Sequence, residues 1–487
     1  MKAIIIGSGI AGLAAAIRLR IKGYQVQVFE AQSTIGGKAG EWHEQGFRFD
    51  LGPSLLTLPE LMDEIFILAD RNPADYFNYE QLDIICRYFW EDGTRFDTRR
   101  NASAMAQDAW EKFEVQPQIL SKYLKSTAEK YELTCSTFLE HSLHKVSTWT
   151  QWKVLKALFK LSRLHLMESM HERNLKALKE PHLVQLFDRY ATYNGSSPYQ
   201  TSALFNLISY PELKQGAYFP KEGIRSIPES LHRLSVELGV EFHLNHCVEK
   251  MENQNGQVRG IQSNGRFYAA NVVVSNMDVY PTYQKLLPEI PMPKYVRQGE
   301  RSTSAVIFYW GMNRTTPELD AHNIFFSEDY VEEFQGLFQT GVLSDDPTIY
   351  VHVSSKINAK DAPEGKENWF VMVNAPSLER QSEDIQLESL KEIVAKKLHR
   401  ILGFDPRPYI VCEKVRGPQD IEKETLSHLG SLYGTSSNEL FSAFHRHPNF
   451  SRHLKGLYFC GGSVHPGGGV PLCLYSAKIA TSLIPDA

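Results

Sequence analysis

The sequence has no C-x-x-C pair, no zinc-type spacing of Cys and His, and only six cysteines, Cys86, Cys135, Cys247, Cys412, Cys460 and Cys473, in 487 residues. That density is too low for a disulfide framework, so the chain reads as a cytoplasmic protein with reduced thiols and no metal site. Long hydrophobic runs are missing as well. None reaches the ~18 uncharged apolar residues that cross a bilayer, so nothing spans one and any membrane contact is peripheral. An excess of positive charge is also absent: 52 Lys and Arg stand against 57 Asp and Glu, a net charge of -5. Without a basic field, nucleic acid is excluded as a partner. There is no internal repeat and no low-complexity linker. What remains is a globular chain, 42% hydrophobic and 22% charged, long enough for two or three cores.

Lys2 followed by the apolar run Ala3 to Ile17 has the outline of a signal peptide. The glycines inside that run explain it better. Lys2 to Ile6 predicts a short buried strand, and Gly7-Ser8-Gly9-Ile10-Ala11-Gly12 turns it into a helix running to about Ile21. Gly7 permits the tight turn, Gly9 lets the backbone approach a pyrophosphate, and Gly12 lets helix and strand pack closely. Gly23 ends the helix, and Gln25 to Phe29 alternates as a second strand that stops at Glu30. A carboxylate there grips a ribose 2′-hydroxyl and disfavours a 2′-phosphate, which leaves NAD or FAD.

Glu30 is followed by Ala31 and then by Gly36-Gly37-Lys38 and Phe49-Asp50-Leu51-Gly52-Pro53. A second glycine pair and a cation arrive where a cofactor that continues past its pyrophosphate needs close backbone approach and a charge. The arrangement resembles the amine-oxidase-like flavoproteins, which makes FAD the favoured cofactor.

Further along, PELMDEIFILAD predicts a helix, and strands around Asp83 to Phe89 and Arg95 to Asp97 flank a hairpin signal at Glu91-Asp92-Gly93-Thr94. Met105 to Glu180 is helical and polar-rich. Within it a helix from Trp152 to Met167 would stack Lys153, Lys156, Lys160 and Arg163 on one face, with Trp152, Leu155, Phe159 and Leu166 on another. This is either a packed surface helix or one that rests on anionic lipid. Aromatics then cluster from Phe187 to Tyr193 and at Tyr218-Phe219, as ordinary core or as the lining of an apolar channel. Residues 224–278 predict a helix to Leu238, strands at Val240 to Asn245, Val248 to Glu252 and Val258 to Gln262 with Asn-Gly turns, and a buried strand Val272 to Ser275. Strands follow at Ser304 to Trp310, Thr348 to Ser354 and Trp369 to Asn374. A structural helix with Leu387, Leu390, Val394, Leu398 and Ile401 on one side stops at Gly403.

Near the C-terminus a strand again runs into glycines, Cys460-Gly461-Gly462-Ser463-Val464-His465-Pro466-Gly467-Gly468-Gly469-Val470-Pro471, and then into a helix whose first position suits Pro471. Amides at such a helix start would favour the negative charge that a flavin gains on reduction. This stretch, with Phe219-Pro220-Lys221-Glu222-Gly223 and His428 to Gly434, resembles the bacterial-type phytoene desaturase family of carotenoid desaturases and oxidases over nearly the whole chain. Its ending is most similar to carotenoid 3,4-desaturases that act on 1-hydroxylated carotenoids, since the usual phytoene desaturase form has Gly-Ala-Gly-Thr-His-Pro-Gly-Ala-Gly. No carboxylate is available for the ribitol, because Gly462 and Ser463 stand where many flavoproteins have Gly-Asp.

The resemblance implies an α/β fold with a discontinuous Rossmann-like FAD-binding domain (1–75, 216–290 and 446–487), shared with amine oxidases and GDP-dissociation inhibitors. An inserted α+β substrate domain would comprise 76–100 and 291–445, and residues 101–215 a helical, membrane-facing part. The FAD contacts would be Gly7 to Gly12, Glu30, Ala31, Gly37, Lys38, Gly52 and Pro53, a backbone contact to adenine near Val248, and Gly461, Gly462, Ser463, Gly469, Val470 and Pro471. The implied substrate is a hydrophobic carotenoid taken from a membrane surface, with quinone or oxygen as the eventual electron acceptor and no catalytic residue readable. Other enzymatic readings are a phytoene- or lycopene-type desaturase, a carotenoid oxidase or isomerase, and an amine oxidase. A non-enzymatic isoprenoid carrier like the GDP-dissociation inhibitors is the alternative of another class.

Overall fold

The computed structural model describes residues 1–150, 164–439 and 446–487. Its first layer is a five-stranded parallel sheet in the order Leu457–Phe459, Val272–Ser275, Lys2–Ile6, Gln25–Phe29, Glu241–His243. Three of these strands read as apolar runs because helices cover both faces of a parallel sheet. Helix Ile10–Ile21 is buried along nearly its whole length, between Val470–Ser482 on one side and Ser226–Glu237 on the other. Small residues at Ala11, Gly12, Ala14, Ala15 and Ala16 allow that enclosure. The N- and C-terminal glycine junctions, Gly7 to Gly12 and Gly461 onward, therefore meet at the same end of one sheet although they lie at opposite ends of the chain.

A three-stranded antiparallel meander, Val248–Gln254, Gln257–Ser263 and Arg266–Ala269, packs beside this sheet. Asn255-Gly256 and Asn264-Gly265 turn it with positive φ at both residues, the geometry of a type I′ hairpin. The expected strand from Val240 is shorter, Glu241–His243, and pairs in the parallel sheet.

The second layer is a seven-stranded sheet that joins Ile84–Phe89 and Arg95–Arg99 to strands between Ser304 and Arg416. Strand Glu367–Ala375 shows how it works. Trp369, Val371 and Val373 point to the face packed on helix Leu387–Leu402, while Phe370, Met372 and Asn374 point to the opposite face, toward a cavity. The helix ends at Gly403, which adopts φ 77°.

The helical part contains Ala102–Phe113, Pro117–Thr134, Met170–Leu178 and Pro181–Asp188. Residues 151–163 of the candidate interfacial helix, with all four of its cations, lie outside the described residues. Its last four residues form a turn with His165 at φ 52°, so no helix extends to Met167. Among the described residues no helix is long and apolar enough to cross a membrane.

Candidate functional site

The first glycine turn is built by backbone contacts. Gly7 adopts φ 92° and donates its N–H to the Phe29 carbonyl at 2.8 Å. A Cβ on Gly12 would lie 2.2 Å from the Gly7 carbonyl oxygen, and one on Gly9 would lie 2.7 Å from Asn276 Oδ1. Only glycine fits at position 12, and a side chain at position 9 would have to displace Asn276. Asn276 also faces the second junction: its Nδ2 donates to the Cys460 carbonyl at 3.1 Å, and a Cβ on Gly461 would lie 2.6 Å from it. One side chain thus bridges the two glycine turns.

Glu30 stands at the end of its strand, where its Oε2 accepts from the Ser8 N–H and hydroxyl and its Oε1 from the Gln32 N–H. Gly36 and Gly37 adopt φ 105° and 58°, and Gly37 passes so close to Gly9 that a Cβ would lie 3.3 Å from its Cα. Gly52 packs on the Lys38 carbonyl, 2.1 Å from where its Cβ would be. Asp50 fixes this segment by pairing with Arg48 at 2.7 Å and accepting the N–H groups of Ile224 and Arg225. Lys38 Nζ donates to the Leu432 carbonyl at 2.8 Å. It reaches into the cavity but is enclosed by protein, and this desolvation holds its pKa below the usual lysine value, opposed by Asp278.

All these elements border one continuous cavity of about 740 Å³. Of the residues singled out in the sequence, Gly7, Gly9, Ile10, Ala11, Glu30 and Ala31 line it. So do Gly37, Lys38, Gly52, Pro53 and Val248, and on the opposite side Gly461, Gly462, Ser463, Gly469, Val470 and Pro471. Ser8 and Gly12 lie behind that surface. The C-terminal helix starts at Val470, so Pro471 takes its second position rather than its first; the N–H that proline lacks would be free at either place.

Beyond the glycine cradle the lining becomes apolar. Phe138, Leu139 and Leu143 come from the helical part, as do Leu164, Leu166 and Phe205; the seven-stranded sheet adds Ile307, Ile324, Phe370 and Met372. Of the aromatic cluster, Tyr193 lines the cavity whereas Phe187 and Tyr190 are core. Both alternatives drawn from the sequence are realised in different residues.

Several site residues carry no sequence signal of their own. Asn276 follows a buried strand of the parallel sheet, a position that could have drawn attention. Ser54, Arg189, Glu212, His322 and Tyr350 line the cavity from separate elements. Arg189 is buried among Tyr88, Tyr190 and Tyr193 and lies 3.7 Å from Glu212, whose two oxygens accept the hydroxyls of Tyr190 and Tyr193. His428 is no part of this lining. Its ring stacks on Tyr280 at 3.4 Å, and burial pushes its pKa down to about 4. His465 does line the cavity and is tied by Nε2 to the His141 carbonyl at 3.0 Å.

A parallel sheet with two glycine junctions, an acid at the second strand end and one continuous cavity between them defines a flavoprotein oxidoreductase. Residues 10–484 match the family of flavin-containing amine oxidoreductases. The chain is 48% identical to the 1-hydroxycarotenoid 3,4-desaturase of Flavobacterium sp. (strain P99-3), covering 100% of this chain and 99% of that one. It is 34% identical to the 4,4'-diapolycopene oxygenase of Methylomonas sp, covering 99% and 98%. Among solved structures, an oxidoreductase from Methanosarcina mazei superposes with a TM-score of 0.66 at 14% identity, over 99% of this chain and 100% of that one, which is a likeness of fold. The chain belongs to the flavin-containing amine oxidoreductase family, within the group formed by carotenoid desaturases and their relatives. It is an oxidoreductase with FAD as its cofactor. The residues fit that cofactor: at Gly9, Gly37 and Gly461 the cavity wall is bare backbone, and the Glu30 carboxylate stands at the end of the neighbouring strand.

Proposed function

We propose that the protein is an FAD-dependent desaturase that removes two hydrogens from adjacent carbons of a 1-hydroxylated carotenoid to form the 3,4 double bond. The observation that carries this reading is the continuity of the glycine cradle with a largely apolar chamber in a single cavity. A polyene is rigid, elongated and apolar, and such a chamber matches it. The full-length similarity to a 1-hydroxycarotenoid 3,4-desaturase supports the choice of bond.

In this reading Gly7, Gly9 and Gly37 admit the pyrophosphate by backbone approach, Glu30 holds the adenosine ribose, and Val248 faces the adenine. Gly461 to Ser463 and the helix starting at Val470 border the flavin end. Bound flavin supplies hydride acceptance. The amides at the start of that helix favour negative charge beside them, and the apolar walls exclude water and align the chain. The substrate gives up a hydride and a proton, and quinone or oxygen takes the electrons in a later step.

Division of the chain into an FAD-binding part (1–75, 216–290, 446–487), a substrate part (76–100, 291–445) and a helical part (101–215) accords with this reading. The helical part would meet the membrane. Leu164 and Leu166, directly after the cationic segment, line the cavity, and Met167 beside them is 80% exposed. A substrate nearly insoluble in water would then pass from lipid to chamber along that side.

The test is turnover by FAD-loaded enzyme of a 1-hydroxylated acyclic carotenoid in lipid vesicles, with a quinone and without oxygen. The expected product has lost two hydrogens and absorbs at longer wavelength. A second reading, oxidation at a terminal carbon, is favoured by the similarity to a diapolycopene oxygenase. A product carrying added oxygen, formed only in air, would replace the first reading with the second.

A further inference from the structure

The sequence places no acid at the C-terminal glycine junction, where Gly462 and Ser463 stand. The structure brings one there from another element. Strand Val272–Ser275 runs on into the segment Asn276 to Val279, which follows the junction closely: Asn276 Nδ2 donates to the Cys460 carbonyl at 3.1 Å, and the Val279 N–H donates to Ser463 Oγ at 3.0 Å. Asp278 lies between these two anchors and lines the cavity. Lys38 reaches the same junction from the N-terminal cradle. Its Nζ is held by the Leu432 carbonyl at 2.8 Å, and two residues further a Cβ on Gly434 would lie 3.1 Å from Ser463 Cα.

The protein uses the Asp278 carboxylate only in part. Oδ1 accepts the Tyr280 N–H at 2.9 Å and the His428 N–H also faces the group, but no side chain among the described residues donates to it. A carboxylate offers about four lone-pair positions, so about half of them stay open. The residue is half-buried, and neither oxygen is an unpaired atom sealed inside the protein, so what stays open faces the cavity. Enclosure raises its pKa above the usual carboxylate value, opposed by the Tyr280 N–H, Arg301 and Lys38. A ligand hydroxyl that donates to such a group forms a charge-assisted hydrogen bond, stronger than one between neutral partners.

We infer that Asp278 binds the ribityl hydroxyls of FAD, supplying from the loop after Val272–Ser275 the carboxylate that the C-terminal junction lacks. The inference stands on FAD as the cofactor and is independent of the carotenoid. Asn276 touches both glycine turns, and Asp278 follows it by two residues. The part of FAD that joins the pyrophosphate at one turn to the flavin at the other is the ribityl chain, a run of hydroxyls that needs acceptors. Ser463 cannot take this role alone, because its Oγ already accepts the Val279 N–H.

The experiment titrates apoprotein with FAD, with ADP, and with FAD analogues that each lack one ribityl hydroxyl, using wild type, Asp278→Asn and Asp278→Ala. Asn keeps an oxygen for the Tyr280 N–H and so preserves the local turn while removing the charge. FAD should bind about tenfold or more weakly to Asp278→Asn, and at least as weakly to Asp278→Ala. ADP, which has no ribityl chain, should bind all three proteins alike, and this also shows that the variants are folded. At least one deoxy analogue should bind wild type about tenfold or more weakly than FAD does, and Asp278→Asn should no longer distinguish that analogue from FAD. Unchanged FAD affinity in both variants, or a wild type that binds every analogue as tightly as FAD, overturns the inference. Equal weakening of FAD and ADP in Asp278→Asn overturns it too, since Asp278 would then shape the whole cradle rather than hold the ribityl chain.

Discussion

The Glu30 carboxylate accepts two hydrogen bonds from Ser8, from its backbone N–H at 2.9 Å and from its hydroxyl at 2.7 Å. The residue that faces the cavity and the residue behind it are therefore one unit, in which Ser8 sets the direction of the acid. Glu30→Gln should weaken FAD binding by ~1 to 3 kcal/mol, because a charged acceptor becomes neutral. Ser8→Ala should cost less, ~0.5 to 1.5 kcal/mol, since it removes one of the two bonds. Fluorescence titration of apoprotein with FAD measures both; unchanged affinity in Glu30→Gln would remove Glu30 from the site.

Gly12 tests the cradle in a different way, because it packs the helix on the turn and does not itself face the cavity. In Gly12→Ala the new methyl would meet the Gly7 carbonyl oxygen at 2.2 Å and Asn276 Oδ1 at 3.0 Å. Backbone must shift to relieve this, at ~1 to 3 kcal/mol or more. The expected result is a lower melting temperature and a reduced flavin-to-protein absorbance ratio. A variant that melts and binds FAD like wild type would show the turn to be loosely packed.

Acid sensitivity follows from histidines buried as neutral rings. Burial pushes His352 and His465 down to about 4 and His447 down to about 3, and all three are nearly inaccessible to solvent. In the unfolded chain each returns to about 6.5. Between these values the unfolded chain binds more protons than the folded one, so stability rises with pH across the window and is fully present above about 6.5. It is lost as pH falls toward 4, by up to ~3 kcal/mol per ring. Melting temperature should drop steeply from pH 6.5 to 4, and His447→Gln should flatten that slope even where it lowers stability overall. An identical slope in the variant would mean that His447 does not titrate on unfolding in this range.

Charge reversal at Lys153, Lys156, Lys160 and Arg163 tests the membrane contact. Four cations near an anionic surface contribute up to ~4 kcal/mol together. Their replacement by Glu should release the protein from anionic vesicles in flotation while FAD content stays the same. Continued flotation would mean that these cations do not hold the protein to lipid, and loss of FAD that they are structural.

Much of the cofactor side was legible because its requirements are local. A turn that needs positive φ at Gly7, or a backbone approach that forbids a Cβ at Gly12 and Gly52, must be written as glycine at that place, beside a strand whose apolar run is equally local. Long strands and the Leu387–Leu402 helix were readable for the same reason, through their periodicity. Arg266–Ala269 was not, because its four residues are mostly exposed and carry neither the unbroken apolar run of Val272–Ser275 nor an alternation.

The amino-acid order by itself determined the two glycine junctions, the acid at Glu30 and the family they belong to, since each is a run of neighbours whose spacing is set by backbone geometry. Tertiary structure alone decided that Asn276 bridges those junctions and that Ser54, His322 and Tyr350 form one hydrogen-bonded chain in the cavity wall. Those residues come from separate elements, and only sheet register and the packing of two layers bring them within hydrogen-bonding distance, an arrangement that leaves no period or motif in the chain.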